Sequence, residues 1–223
     1  MTAPGLILFD VNETLSDMSP MGAAFAAEGL APHQVKEWFA GVLRDGFAAA
    51  AAGGSAAFAE IARDGAVRLL EAGGAADASA SAERIMEAMH GLDVHPDVAP
   101  GVEALASVAE LATLSNGAAS VADGLLRRAG LRERFAALLS VEDAPAWKPS
   151  RVAYAFAADA LSRQPGEMLL VAVHPWDIHG ACRAGLRTAW INRGGATYPA
   201  YFAQPELQTS DLPSLADQLA PRP

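Results

Sequence analysis

The chain has 223 residues, of which 52% are hydrophobic, enough for one folded domain with an insert or for two small domains. Its formal net charge of −10 argues against binding to a nucleic-acid backbone, which requires concentrated lysine and arginine. No apolar run reaches the roughly 18 residues of a membrane-spanning helix, and the first residues lack the pattern of a secretion signal. We therefore expect a cytoplasmic protein that contacts neither membrane nor nucleic acid.

Five short apolar segments, each ending in a polar or glycine-containing turn, are spaced along the chain. They lie at 5–10, 111–117, 137–143, 167–174 and 187–193. Such continuous apolar runs are typical of strands buried on both faces, and helical patterns lie between several of them. The alternation predicts an α/β fold with a doubly wound parallel sheet and a Rossmann-like core.

A long helical segment interrupts this alternation directly after the first strand. It is rich in alanine at helical spacing, as in 33–52 and 79–92, and contains no convincing strand. We therefore predict an α/β core domain formed by residues 1–15 and 97–223, and a helical cap domain formed by residues 16–96.

Polar residues follow the predicted strands. Asp10 comes directly after the first strand, Ser115 and Asn116 end the second, Asp143 ends the third, and His174 through Asp177 follow the fourth. Because ligands bind outside the carboxyl ends of the strands in such sheets, we expect these residues to form one site.

Four motifs occur in order at these strand ends: "FDVNETL", "LSNG", "WKPSRVAY" and "VHPWDIHGA". Together they resemble the haloacid dehalogenase superfamily, and most closely its type II 2-haloacid dehalogenases. The resemblance covers the core segments well and the helical insert loosely. It implies a nucleophilic aspartate at the end of the first strand.

Asp10 is the nucleophile that the resemblance implies, because a carboxylate can displace a leaving group and form an ester. The alternative is an aspartate that only caps a turn. Asn12 stands where the superfamily's phosphatases have a second aspartate, which protonates the departing alcohol. Asparagine is not such a proton donor, and a departing halide needs no proton. This pair therefore favours cleavage of a carbon–halogen bond, with no metal and no cofactor.

Three further residues complete the predicted catalytic set. The resemblance implies that Lys148 contacts Asp10, and a cation there would keep the carboxylate ionised. Thr14 can donate its hydroxyl to Asp10 or to the substrate, or simply cap the following turn. Asp177 is the candidate that positions or deprotonates the water that attacks the ester. It stands alone where phosphatases usually supply more than one acid for magnesium.

A second group of residues is predicted to bind the substrate: Arg44, Ser115, Asn116, Tyr154, His174, Asn12 and Trp176. By the resemblance, Ser115 contacts the substrate carboxylate, and Asn116 and Arg44 lie near the leaving halide. For Ser115 and Asn116, the alternative is an Asn-Gly turn in which these side chains only stabilise the turn. For Arg44, the alternative is a surface arginine near Asp45.

The sequence departs from the family pattern at two places. Glu13 replaces a residue that is usually glycine, and Ala172 and His174 stand where relatives commonly have serine and asparagine. His174 can assist the attack of water, orient Asp177 or narrow the halide pocket, or it can be a hydrogen-bonding loop residue.

The residues together predict a metal-independent hydrolase that converts short (S)-2-haloalkanoic acids to 2-hydroxy acids through an aspartyl ester. A magnesium-dependent phosphatase of the same superfamily and a catalytically silent carboxylate-binding protein are the alternatives. The expected partner is a small 2-haloacid. A homodimer is possible, because the family often forms one. The single cysteine, Cys182, cannot form a disulfide within the chain, which agrees with a reducing compartment.

Overall fold

The computed structural model describes residues 4–220, which form two compact units. Of the described residues, 4–16 and 93–220 form the core unit, and Asp17–Leu92 form the helical unit. These boundaries differ by one and four residues from those expected from the sequence. The difference has a local cause, because Ser16 pairs with Val94 in an antiparallel bridge beside the first strand.

The core unit contains one parallel sheet with the strand order β3-β2-β1-β4-β5-β6. The described strands are β1 Leu6–Phe9, β2 Glu110–Ser115, β3 Phe135–Ser140, β4 Met168–Ala172, β5 Arg187–Ile191 and β6 Leu207–Thr209. The predicted α/β fold with a doubly wound parallel sheet is confirmed. The sequence analysis missed β6, because three residues at an edge of the sheet show too short an apolar pattern.

Nine α-helices are found within residues 4–220: α1 Met21–Ala27, α2 Gln34–Ala51, α3 Phe58–Ala72, α4 Ala78–His90, α5 Val98–Ala106, α6 Ala119–Arg128, α7 Arg151–Ala160, α8 Pro175–Ala184 and α9 Leu212–Leu219. The first four make up the helical unit, and the others accompany the sheet. In the described part of the chain, no helix combines the length and the apolar character needed to cross a membrane.

β1 lies at the centre of the sheet, and its four apolar side chains are completely buried. Its last residue, Phe9, is in register with Thr113 of β2 and Val171 of β4. The carboxyl ends of these three strands therefore lie side by side. This register brings together the turns that follow β1, β2 and β4.

The helical unit has its own apolar interior. Trp38 of α2 donates its indole N–H to the carbonyl of Ala62 on α3, at 2.8 Å. Its ring also meets that of Phe25 edge to face, with centroids 5.4 Å apart. Aromatic residues thus hold α1, α2 and α3 together, and the alanine-rich tract of α2 is part of a folded helix.

Candidate active site

Asp10 follows β1 and is almost fully buried, with 4% of its surface exposed. Its backbone N–H donates to the carbonyl of Val171, which extends the pairing of β1 with β4 by one residue. Oδ1 accepts a hydrogen bond from Nζ of Lys148 at 2.9 Å, and Oδ2 accepts one from the hydroxyl of Thr14 at 2.7 Å. The carboxylate is thus held on both oxygens before any ligand is considered.

Lys148 is a completely buried ammonium group that bridges two carboxylates. Besides Asp10, its Nζ donates to Oδ2 of Asp177 at 2.6 Å. The side chain of Asn116 fixes the backbone of the same lysine: Oδ1 accepts from the Lys148 N–H at 2.9 Å, and Nδ2 donates to the Lys148 carbonyl at 3.2 Å. Asn116 therefore sets where the ammonium group enters the site.

Asp177 lies in the first turn of α8 and is fully buried. The phenol of Tyr154, on α7, donates to Oδ1 of Asp177 at 2.6 Å. This contact is possible because α7 and α8 approach closely at Gly180, where an added Cβ would lie 2.6 Å from the Tyr154 hydroxyl oxygen. Both oxygens of Asp177 thus have a donor, one from Lys148 and one from Tyr154.

The charges of this cluster shift one another's pKa values. Burial acts to raise the pKa of Asp10, but the ammonium of Lys148 and the bond to His174 outweigh it and hold this pKa well below its usual range. Burial acts to lower the pKa of Lys148, but Asp10 and Asp177 together raise it. At neutral pH Asp10 is therefore an ionised carboxylate beside a protonated lysine.

The pKa values of Asp177 and Tyr154 are raised, whereas that of Asp10 is lowered. Burial raises the pKa of Asp177, with Lys148 opposing and Asp10 adding to the rise. Burial also raises the pKa of Tyr154 well above its ordinary value, so its phenol stays a hydrogen-bond donor. The two carboxylates of the site thus differ: Asp10 favours the charged form, and Asp177 binds a proton more readily.

The turns around Asp10 are tied to one another. The hydroxyl oxygen of Thr14 accepts from the N–H of Val173, which follows β4, at 3.1 Å. Ser115 accepts the N–H of Gly117 at 2.9 Å and so closes the turn after β2. Asn12 is partly buried in the turn after β1. The three turns that the sequence analysis assigned to one site are adjacent in the core unit.

His174 lies between two carboxylates at the end of β4. Its Nδ1 is 3.2 Å from Oδ2 of Asp10, and its Nε2 is 2.9 Å from Oε2 of Glu13. Its ring stacks on Trp176, with centroids 5.1 Å apart. Burial acts to lower the pKa of His174, but the bonds to Asp10 and Glu13 outweigh it and raise this pKa to about 9.

Arg44 belongs to the helical unit, where it lies on α2. Its side chain is 73% exposed and donates to Asp45 at 2.7 Å. Together with Trp38 and Arg68 it lines a cavity of about 190 Å³ between α2 and α3. Within its own unit Arg44 is thus an exposed arginine paired with its neighbour.

Within residues 4–220, no group of three or more histidine, cysteine, aspartate or glutamate side chains is placed to hold a metal ion.

The chain matches the family model of haloacid dehalogenase-like hydrolases over residues 4–185. This chain belongs to the haloacid dehalogenase-like hydrolases. The family expected from the four sequence motifs is therefore confirmed.

Individual relatives of this haloacid dehalogenase-like hydrolase carry more specific names. (S)-2-haloacid dehalogenase 1 of Pseudomonas sp. (strain CBS-3) is 34% identical over 137 residues, which cover 61% of this chain and 60% of the relative. The match thus spans less than two thirds of that curated protein. The solved structure of a dehalogenase with an intermediate complex is similar over 100% of both chains, with a TM-score of 0.91 and 27% identity. That of the L-2-haloacid dehalogenase from Xanthobacter autotrophicus covers 98% of both chains, with a TM-score of 0.87 and 25% identity.

The structure also shows partners in this hydrolase that the sequence analysis missed. Neither the bond from Tyr154 to Asp177 nor the use of the Asn116 amide to hold Lys148 was predicted. Glu13 and His174 were noted separately as departures from the family pattern, and their mutual contact was not foreseen.

Proposed function

We propose that this hydrolase removes the halogen from short (S)-2-haloalkanoic acids and releases 2-hydroxy acids through an ester formed on Asp10. What carries the proposal is the environment of this carboxylate: Lys148 and Thr14 hold it, and Asn12 stands where a proton-donating aspartate would serve a phosphatase. Two curated relatives named (S)-2-haloacid dehalogenase, from Pseudomonas and Burkholderia cepacia, support the same reaction.

In the first step a carboxylate oxygen of Asp10 attacks the carbon that bears the halogen, from the side opposite the halogen. The carbon–oxygen bond forms as the carbon–halogen bond breaks, and the halide leaves with the bonding electron pair. The halide needs no proton, so no general acid is required. The stereocentre is inverted, and Lys148 keeps Asp10 ionised for this attack.

In the second step water attacks the carboxyl carbon of the Asp10 ester. The bond between that carbon and the ester oxygen breaks as the alcohol leaves, while the bond from the ester oxygen to the stereocentre is never broken. We assign Asp177 to orient or deprotonate this water, with Lys148 as its partner. Burial raises the pKa of Asp177, which makes it a better base, and Tyr154 holds it in place. The proton taken from water returns to the departing alkoxide, and an (S)-2-halo acid yields an (R)-2-hydroxy acid.

We assign the substrate carboxylate to the hydroxyl of Ser115 and to N–H groups of the following turn other than that of Gly117, which already donates to Ser115, because donors at a turn suit an anion. Asn116 uses its oxygen and one N–H on the backbone of Lys148, which leaves its second N–H for the departing halide. Arg44 is the second candidate to bind the halide, since its planar, positively charged guanidinium group can donate hydrogen bonds to an anion. Trp176 would form an apolar wall.

Halide release from 2-chloropropionate in the presence of EDTA tests the reaction. We expect release from the (S) isomer, and we expect the product to be (R)-lactate. Folded enzyme that releases no halide from any chloro- or bromoalkanoate would contradict the proposal. Hydrolysis of an aryl phosphate only after magnesium is added would establish the phosphatase instead.

The assignment of Asp10 has its own test. Asp10→Asn is expected to abolish halide release, whereas Asp159→Asn, which changes an exposed aspartate near the end of α7, serves as the matched control. A single turnover in heavy-oxygen water should leave the label in the protein, because water attacks the carboxyl carbon. Label found only in the product alcohol would show that water attacks the substrate directly.

We also propose a cytoplasmic location and a homodimer. The absence of a second cysteine agrees with a reducing compartment, and the family often forms dimers. Sedimentation at micromolar concentration measures the second point directly. A mass of one chain at all concentrations would rule out the dimer.

A further inference from the structure

Two residues that depart from the family pattern contact each other in the core unit. Oε2 of Glu13 lies 2.9 Å from Nε2 of His174, and the other ring nitrogen of His174 lies 3.2 Å from Oδ2 of Asp10. The side chain of His174 is only 13% exposed. Glu13, His174 and Asp10 thus form a continuous chain of polar contacts that leads to the proposed nucleophile.

The backbone of Glu13 adopts a conformation that favours glycine. Its φ of 59° is in the left-handed region, which disfavours residues with a Cβ. The turn is held by its carbonyl, which accepts from Nε2 of His95 at 3.0 Å and lies 3.5 Å from Nη1 of Arg193. A glutamate is thus kept where glycine would be easier, and its carboxylate reaches His174. Strain of this kind at a site is a reason to look for a role of the side chain.

The contacts of His174 define its charge. Both of its ring nitrogens face a carboxylate oxygen, and an ionised carboxylate can only accept hydrogen bonds. A neutral imidazole has one N–H, so it would set a lone pair against one of the two carboxylates. Only the imidazolium donates to Asp10 and Glu13 at the same time.

We propose that Glu13 is a positioning residue that holds His174 as an imidazolium against Asp10, so that the nucleophile lies between two cations. Lys148 binds Oδ1 of Asp10, and His174 binds Oδ2 together with Thr14. The inference rests on the proposed function, because its consequence is that an anionic substrate can approach an anionic nucleophile.

The charges around His174 determine how the loss of its proton changes the repulsion on an anionic substrate. Asp10 and Glu13 are in direct contact with it, and Lys148 and Asp177 complete the cluster. With a protonated His174, three carboxylates face two cations; when His174 loses its proton, they face one. The repulsion on a 2-haloalkanoate anion therefore grows as the pH rises past the pKa of His174, at about 9.

A titration of the histidine ring protons by NMR tests the charge of His174 without any substrate. His174→Asn identifies the signal by its loss, and we expect this signal to titrate near 9 in the native protein. Glu13→Gln removes the charge and keeps the size, and it should lower the midpoint by about one unit or more. Glu142→Gln, at an exposed glutamate of the same unit, should leave the midpoint unchanged.

Two results of this titration would overturn the inference: an ordinary midpoint near 6.5 in the native protein, or a midpoint that Glu13→Gln does not move. Glu13→Gly provides a second variant if Gln disturbs the turn, because glycine suits the left-handed backbone. It should lower the midpoint as well. Since the titration needs no turnover, it can succeed or fail independently of the dehalogenase assay.

The kinetic test follows KM and kcat for 2-chloropropionate from pH 7 to 10. We expect KM of the native enzyme to rise above pH 9 by up to about tenfold per pH unit, the limit for one linked proton. Glu13→Gln should bring this rise to lower pH, while Glu142→Gln should follow the native profile. A KM profile that Glu13→Gln leaves in place would contradict the role given to Glu13.

Discussion

At the scale of single residues, the site depends on one buried ammonium group. Lys148 contacts two carboxylates, Asp10 and Asp177, and none of its own side chain is exposed. Buried charges are tolerated only when they are paired, so the lysine and the two acids stabilise one another. The two acids nevertheless differ: Lys148 helps to hold the pKa of Asp10 low, whereas burial and the charge of Asp10 raise the pKa of Asp177 against the opposing effect of Lys148.

Lys148→Met tests this balance. It leaves two buried carboxylates near each other without their shared cation, so we expect it to destabilise the fold by about 3–5 kcal/mol and to abolish halide release. Urea unfolding and a halide assay measure the two effects. Lys36→Met is the matched control, since Lys36 is the only other lysine and is exposed. Equal stability of the two variants would show that Lys148 does not stabilise the acids.

At the scale of elements, close helix contacts at glycine position the site. On α8, a Cβ at Gly180 would lie 2.6 Å from Cβ of Pro149 and from the hydroxyl oxygen of Tyr154. On α5, a Cβ at Gly101 would lie 2.2 Å from Cβ of Leu212, at the start of α9. Both glycines thus allow two elements to pack, but only Gly180 lies against a residue of the candidate site.

Alanine substitutions separate these two contacts. Gly180→Ala and Gly101→Ala should each destabilise the protein by about 1–3 kcal/mol, because neighbouring atoms must move. Only Gly180→Ala should also slow turnover, because it displaces Tyr154 from Asp177. At Gly41 of α2, an added Cβ would have no atom within 4 Å apart from its chain neighbours and the backbone of its own helix, so Gly41→Ala should instead stabilise the protein by up to about 1 kcal/mol. Thermal unfolding and turnover compared across the three variants check these expectations, and unchanged turnover in Gly180→Ala would contradict them.

At the scale of the whole molecule, the paired groups make stability depend on pH in two windows. The low pKa of Asp10 adds stability that is present above its unfolded value of 3.8 and is lost as the pH falls below it. The pKa of His174 is raised from 6.5 to about 9, so its contribution is complete below 6.5 and is lost as the pH rises to 9. Acid and mild alkali should therefore both weaken the fold.

The raised pKa of His174 predicts how stability changes at alkaline pH. The free energy of unfolding of the native protein should fall between pH 6 and 9.5, by an amount on the order of 2–3 kcal/mol from His174. His174→Asn should flatten this dependence, while His33→Asn, at an exposed histidine, should keep it. Urea unfolding at several pH values measures both, and parallel curves for the two variants would contradict the assignment.

The sequence by itself determined five of the six described strands, the helical insert and the edge of the sheet where the polar residues meet. These features follow from local patterns: a run such as 6–9 is apolar throughout, and parallel strands place their carboxyl ends together. The structure places Asp10, Ser115 and His174 at or just after the ends of β1, β2 and β4. The three residues of β6 were missed, because their pairing depends on β5 rather than on their own pattern.

Only the tertiary structure decided most of the side-chain contacts; the contact of Lys148 with Asp10 was expected from the family resemblance, not from a local pattern. Lys148 and Asp10 are 138 positions apart, and His174 and Glu13 are 161 positions apart, so no local pattern relates them. Their contacts depend on the strand order, which places β1 beside β4, and on the turn that presents Glu13. The charges of the site, and with them the protonation of its groups, follow from those long-range contacts, because a pKa is set by what lies within a few ångströms.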